Sequence, residues 1–200
     1  MDLPLELASH LRGLVESIGA GDGILTGSVA ALDGNLRAAV SSYQGLRLTL
    51  VLDGWPITLT AFVEIDGVPP ATSLRLALSV LGQDFDPNSR IVFYAGRSGA
   101  LIDLAADLGY LHRRMQPPDS PGRRPIVLDA DLPPESVVSG LSGLAEYVAV
   151  QRATGVLLGR GHSPDRAQAT LRHAAKAGGV TVPEYAARLL RREADRRPSG

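Results

Sequence analysis

The stretch from residue 144 to 190 carries three sets of helix start and stop signals, and this punctuation constrains the chain more than any other feature. In its first segment Leu141, Leu144, Ala145, Val148, Arg152, Gly155, Val156 and Leu157 recur at three- and four-residue spacing. That spacing predicts a helix with one mostly apolar stripe. Gly159-Arg160-Gly161 ends it, since glycine reaches positive φ without a Cβ clash. A second helix opens at Ser163-Pro164-Asp165: a hydroxyl cap, a proline in the first turn, and a carboxylate facing the helix dipole. Ala167, Leu171, Ala174 and Ala175 are its inward stripe, and Gly178-Gly179 stops it. The third begins with the capping box Thr181-Val182-Pro183-Glu184, with Val180 and Tyr185 placed as a hydrophobic staple. Its inward face is Val182, Tyr185, Ala186, Leu189 and Leu190.

Charge separates this segment from the rest. Residues 1–135 hold 10 basic and 16 acidic side chains, a net of −6; residues 136–200 hold 10 and 5, a net of +5. A basic module on an acidic body is the electrostatic footprint expected of a polyanion-binding protein. Arg172, His173 and Lys176 share one face of the second helix, and Arg188, Arg191 and Arg192 extend the third with positive charge. A solvated helix face is the plainer account of the same pattern.

The run Val150-Gln151-Arg152-Ala153-Thr154-Gly155-Val156-Leu157-Leu158, then Ser163-Pro164-Asp165-Arg166-Ala167, then Leu171-Arg172 and Tyr185-Ala186, resembles the ANTAR domain. That family is a bacterial three-helix module that binds paired RNA hairpins and prevents transcription termination. The resemblance runs through all three helices in order. It implies RNA contacts from Arg152, Thr154, Gly155, Arg160, Arg172, Lys176 and Arg188. This chain has Thr154 where the family usually has lysine, and Arg152 where it favours glutamine. The missing ammonium at Thr154 implies weakened RNA binding.

Upstream, Leu7, Leu11, Leu14, Val15 and Ile18 predict one helix, and Leu25, Val29, Leu32, Leu36 and Val40 a second that ends near Gly45. Leu46, Leu48, Leu50 and Leu52 then alternate as a strand, Asp53-Gly54 makes a hairpin turn, and Ile57, Leu59, Ala61 and Val63 continue the partner. After a loop at 68–70, Leu74, Leu76, Leu78 and Val80 alternate again. A polar loop at 82–89 leads to a strand at 91–95 and a helix at 101–111. Residues 113–125 read as a Pro-, Arg- and Gly-rich linker, 126–129 as an edge strand, and Pro133-Pro134 as a boundary. The fold class is α+β, with an antiparallel sheet flanked by helices, followed by the three-helix module. The segment Ser73-Leu74-Arg75-Leu76-Ala77-Leu78, with Ile91-Val92-Phe93-Tyr94-Ala95 and the helix after it, resembles a shortened GAF sensory domain. The expected organisation is thus 1–113 GAF-like, 114–135 linker with an edge strand, 136–192 ANTAR, and 193–200 a disordered tail.

Several chemistries find no support. The chain has no cysteine, which excludes disulfides and thiolate sites. The histidines His10, His112, His162 and His173 lack metal-ligand spacing, and Asp84, Asp86, Asp129 and Asp131 lack that of a calcium loop. Ser98, in Gly96-Arg97-Ser98-Gly99, reads as a helix cap rather than a nucleophile. Trp55 and Phe62 read as core aromatics. No apolar run reaches the roughly 18 residues of a membrane span, so a cytoplasmic location is expected. The expectation is a non-enzymatic regulator, with no cofactor or metal and a small, apolar interior in its N-terminal domain. Its partners would be RNA hairpins, a second copy of the chain joined through the first C-terminal helix, and a regulatory protein. The alternatives are a three-helix DNA binder and a dimeric protein-interaction module that has lost RNA binding.

Overall fold

The computed structural model describes residues 24–63, 68–80, 85–115, 125–132 and 139–196. The helix expected over 7–18, most of the linker expected over 113–125 and the Pro133-Pro134 boundary lie outside these. The chain divides into two compact units, residues 1–141 and 142–200.

In the first unit, helix α1 (Ile24–Ala39) leads to strand β1 (Tyr43–Leu52), and β2 (Trp55–Phe62), β3 (Thr72–Ala77) and β4 (Arg90–Ala95) follow. Helix α2 (Ile102–Met115) comes next, then the short strands β5 (Ile126–Leu128) and β6 (Gly140–Ser142). The sheet order is β5-β3-β4-β1-β2-β6, and the β1–β2, β1–β4, β3–β4 and β3–β5 pairs are all antiparallel. This is the α+β class with an antiparallel sheet. Asp53 (φ 52°) and Gly54 (φ 82°) close the β1–β2 hairpin in the left-handed conformation that a two-residue turn needs.

Alternation places Leu46, Leu48, Leu50, Leu74, Leu76, Ile91 and Phe93 on one sheet face. Leu32 and Leu36 of α1, with Leu101 before α2 and Leu104 and Leu108 within it, complete that core. Every leucine in this set loses nearly all its water contact, a gain of about 1.5–3 kcal/mol each. Tyr43 joins the core although its parity would put it on the other face. A bulge explains this: the register shifts between Tyr43 and Gly45, leaving Gln44 as the extra residue. Gln44 is buried, and its Nε2 donates to the Val68 carbonyl at 2.8 Å.

Four local expectations change. Helix α1 stops at Ala39, and Gly45 lies inside β1, not at a helix end. Leu78 and Val80 belong to a 3-10 turn (Leu78–Val80): Leu78 N still bonds the Ser89 carbonyl in register with β3–β4, but the strand itself ends at Ala77. Ser98 sits in a turn ahead of α2, and no side-chain bond from it caps the helix among the described residues. Helix α2 carries on to Met115, past the expected domain end at 113.

The second unit holds α3 (Leu144–Gly159), α4 (Pro164–Ala177) and α5 (Val182–Arg196), with each helix packed on the other two. Its interior is Val150, Ala153, Leu157, Ala167, Leu171, Ala175 and Ala186. Helix α5 continues through Arg196, four residues into the tail expected to be disordered. Glu193 and Ala194 are strong helix formers, and Glu193 is anchored by an ion pair with Arg160. Among the described residues, no helix is long and apolar enough to cross a membrane.

Candidate nucleic-acid interface

The caps that open α4 and α5 form as their residue types dictate, whereas α3 begins after Gly143 (φ 83°) with no side-chain cap bond. Ser163 accepts from Arg166 N at 3.4 Å, and the capping box closes both ways: Thr181 N donates to Glu184 Oε2 at 2.9 Å and Glu184 N to Thr181 Oγ1 at 3.4 Å. The bond from the Thr181 backbone holds the Glu184 carboxyl below its ordinary range. At the other ends, Gly161 (φ 86°) and Gly179 (φ 61°) supply the left-handed residues, and Val180 N closes back on the Ala175 carbonyl at 3.1 Å.

Helix α3 is apolar on two opposite sides, and this decides which residues face outward. Val150, Ala153 and Leu157 are buried. Leu144, Val148, Arg152 and Gly155, expected on one stripe with Leu157, lie exposed, while Leu157 is buried on the other side. Leu141 is in β6, outside the helix. Periodicity could not choose between the two stripes, because either one reads as an apolar face. Leu144, Val148 and Leu158 remain 42, 36 and 41% exposed.

The seven candidate residues divide accordingly. Arg152 and Gly155 are exposed on α3, and nothing lies within 4 Å of where a Gly155 side chain would begin. Thr154 is half-buried, and its hydroxyl donates to the Val150 carbonyl at 2.9 Å within the same helix. Arg160, just past α3, pairs with Glu193 of α5. Arg172 and Lys176 stand one turn apart on α4, and Arg172 also donates to Gln168 Oε1 at 3.3 Å. Arg188 is exposed on α5 and lowers the Glu184 carboxyl as a minor contributor. Thus Arg172 and Lys176 are brought together. Arg160 is engaged by a carboxylate, Arg152, Thr154 and Gly155 share α3, and Arg188 stands on α5.

Three exposed arginines were left out of the candidate set although the same signals apply. Arg166 follows the Ser163 cap, and Arg191 and Arg192 lie one turn beyond Arg188. In this unit the described side chains of arginine and lysine all face solvent.

The sheet unit contains a second basic grouping that reasoning on the helices missed. Arg47 of β1 and Arg75 of β3 both stand opposite Val92 of β4, one on each side. Arg90 lies two residues from Val92, so all three share the sheet face away from the leucine core. Alternation in Leu46-Arg47-Leu48 and Leu74-Arg75-Leu76 could have placed two of them on that face. The pairing that makes them neighbours could not be read locally. The acids Asp129 and Asp131 act structurally: Asp129 accepts from Thr72 Oγ1 at 2.6 Å and Ser73 N at 3.0 Å, and Asp131 pairs with Arg75 at 3.1 Å. Among the described residues, no group of three or more His, Asp or Glu side chains is placed to hold a metal ion. Comparison with family models, curated proteins and solved structures finds no match to this chain.

Proposed function

We propose that the chain is a regulator whose C-terminal three-helix module binds hairpin RNA, in the manner of ANTAR transcription antiterminators, under the control of a GAF-like sensory unit. The observation that carries the reading is the sorting of charge in the module. Its interior is alanine, leucine and valine, while Arg152, Arg166, Arg172, Lys176, Arg188, Arg191 and Arg192 are all exposed. Such a surface suits RNA phosphates and loop bases, which are recognised by counterion release, shape and guanidinium stacking. Regulation requires no chemistry from the protein, only a change in which of these side chains is accessible.

Binding to tandem hairpin RNA, measured against salt, tests this. Arg172→Ala with Lys176→Ala should loosen binding and flatten the salt dependence by about two units of slope, one per lost phosphate contact. Thr154→Lys should tighten binding and steepen the slope by about one unit. Both variants must melt like the wild type. If wild type and Thr154→Lys both ignore tandem hairpins, the RNA reading fails; a preference for duplex DNA would select the DNA-binding alternative.

A second reading, a protein-interaction dimer, draws on the outer stripe of α3. Leu144, Val148, Gln151, Gly155 and Leu158 follow each other at four- and three-residue steps, the spacing of a helix–helix seam. The bare backbone at Gly155 would let a partner helix approach closely. Here Leu158 takes the place in the seam that the sequence assigned to Leu157. Light scattering should show a dimer that Val148→Arg weakens. A monomer at all accessible concentrations removes this reading.

A further inference from the structure

Arg75 and Arg90 of the sheet unit frame a cavity. Roughly 480 Å³ in volume, it is bounded by Arg75, Arg90, Ser79, Asn88, Pro87 and Val127. That volume falls within the span of about 300–1,000 Å³ usual for small-molecule sites. In cross-strand register Arg75 faces Val92 and Ala77 faces Arg90, so Arg75 and Arg90 are diagonal neighbours on one face. Diagonal positions lie about 7–8 Å apart. Arg47 is the diagonal neighbour of Arg90 on the other side, through its pairing with Val92.

Three like charges on one sheet face repel, and the described residues supply them one carboxylate. Asp131 Oδ2 lies 3.1 Å from Arg75, yet that oxygen takes part in no hydrogen bond, so the pair is close but misaligned. Arg90 spends one donor on the Asn88 carbonyl at 3.3 Å. On the same face the Tyr94 hydroxyl is buried and has no hydrogen-bond partner among the described residues. With Asp131 counted, the face carries a net charge of about +2, on an otherwise acidic unit. Guanidinium forks match carboxylate and phosphate oxygens with two parallel N–H bonds. Pro87, Pro125 and Val127 add apolar wall, and Ser79 and Asn88 polar wall.

We propose that this cavity binds a small organic dianion, its charged head held by Arg75 and Arg90 and its carbon body against Pro87, Pro125 and Val127. Arg47 strengthens the field from the neighbouring strand. Two ligand types share that chemistry, phosphate monoesters and dicarboxylates. Binding here rests on the sheet unit alone, so it stands or falls separately from RNA binding by the helices.

Calorimetric titration of the full chain at fixed ionic strength tests the site, with phenyl phosphate and phthalate as probes and phenol and benzoate as their charge-poor analogues. One-site binding of phenyl phosphate or of phthalate is expected, at least tenfold tighter than that of its analogue. The tighter of the two identifies the ligand type. Arg90→Gln should weaken binding tenfold or more, and Arg90→Lys by less, because the charge stays while the fork is lost. Arg75→Gln should act like Arg90→Gln; if it melts early through loss of the Asp131 pair, Arg90 alone decides. Arg97→Gln, on an exposed arginine outside the cavity, should change nothing. No binding of either dianion at about 10 mM, a concentration at which only millimolar or tighter sites fill appreciably, overturns the proposal. So does binding that survives Arg90→Gln but disappears with Arg172→Gln and Lys176→Gln.

Discussion

The two units of this chain reach stability by opposite routes. The sheet unit buries large leucines, contributed by strands and helices far apart in sequence: Leu36, Leu48, Leu76 and Leu104 meet in one core. Among its described residues the helical unit buries mostly alanine, with only Val150, Leu157 and Leu171 as larger buried side chains. Each buried methylene contributes about 0.8 kcal/mol, so the alanine interior gains less from burial and depends more on caps that close each helix. The sheet unit is specified by which strands pair; the helical unit is specified by where each helix begins and stops. Perturbing register should therefore damage the first, and perturbing caps the second.

The largest effect is expected at Gly45. A Cβ there would lie 2.2 Å from the Ala61 carbonyl oxygen, and its φ of 148° disfavours any side chain. Both obstacles are backbone, so nothing can move aside cheaply. Gly45→Val should cost about 3 kcal/mol or more in urea unfolding followed by Trp55, the sole tryptophan and part of β2. An unchanged Trp55 midpoint would show that β1 and β2 are not this close.

Next comes Leu171→Ala in α4. Leu171 is the largest side chain among the alanines of that helix and is buried. Its truncation should cost about 2–5 kcal/mol, read from helical circular dichroism on thermal unfolding. A loss well under this range would mean that the thin core collapses around the gap. Thr181→Ala should cost about 1 kcal/mol, since it removes one half of the capping box. Glu184→Gln should cost less, because an amide oxygen can still accept from Thr181 N; equal losses would mean that charge rather than hydrogen bonding matters.

Acid should produce the smallest change, and both units share it. Hydrogen bonds from Thr72 and then Ser73 lower the Asp129 carboxyl, and those from Thr181 lower Glu184. A carboxylate with a depressed folded-state pKa stabilises fully above its unfolded value. That stability is lost as pH falls through the ordinary carboxylate range and below it. Melting temperature should therefore hold from neutral pH to about pH 5 and decline beneath it. Asp129→Asn should shrink the decline; a decline of the same size in that variant would assign the acid response elsewhere.

What could be read from the sequence follows the same division. Ser163, Thr181 with Glu184, Gly161 and Gly179 each state a helix boundary within four residues, and all appear where those residue types predict. Asp53-Gly54 did the same for the hairpin. Features set by distant pairing stayed hidden. Tyr43 enters the core only because Gln44 is a bulge, which exists through the partner strand β4. Leu78 continues the alternation of β3 and even bonds the Ser89 carbonyl in register, yet β3 ends at Ala77 and the chain turns into the 3-10 segment Leu78–Val80. Helix α3 misled for another reason: two apolar stripes, one through Val150, Ala153 and Leu157 and one through Leu144, Val148 and Leu158, are equally periodic. Of the candidate site, the exposure of Arg172, Lys176 and Arg188 was legible from helical spacing. The engagement of Arg160 by Glu193 was not, since the two are 33 residues apart.

The Asp53-Gly54 turn has a kinetic consequence. It joins β1 and β2 through two residues that already favour left-handed backbone, so this pair can zip within about 1–10 μs. The β1–β4 pairing, in contrast, must first close a chain of some forty residues, with an entropic toll that grows only slowly with length but gains no contact until the ends meet. The hairpin thus forms a ready template with a free edge on each strand. In the finished sheet β4, β3 and β5 lie beyond the β1 edge and β6 beyond the β2 edge, so assembly is expected to run outward both ways from a turn two residues long.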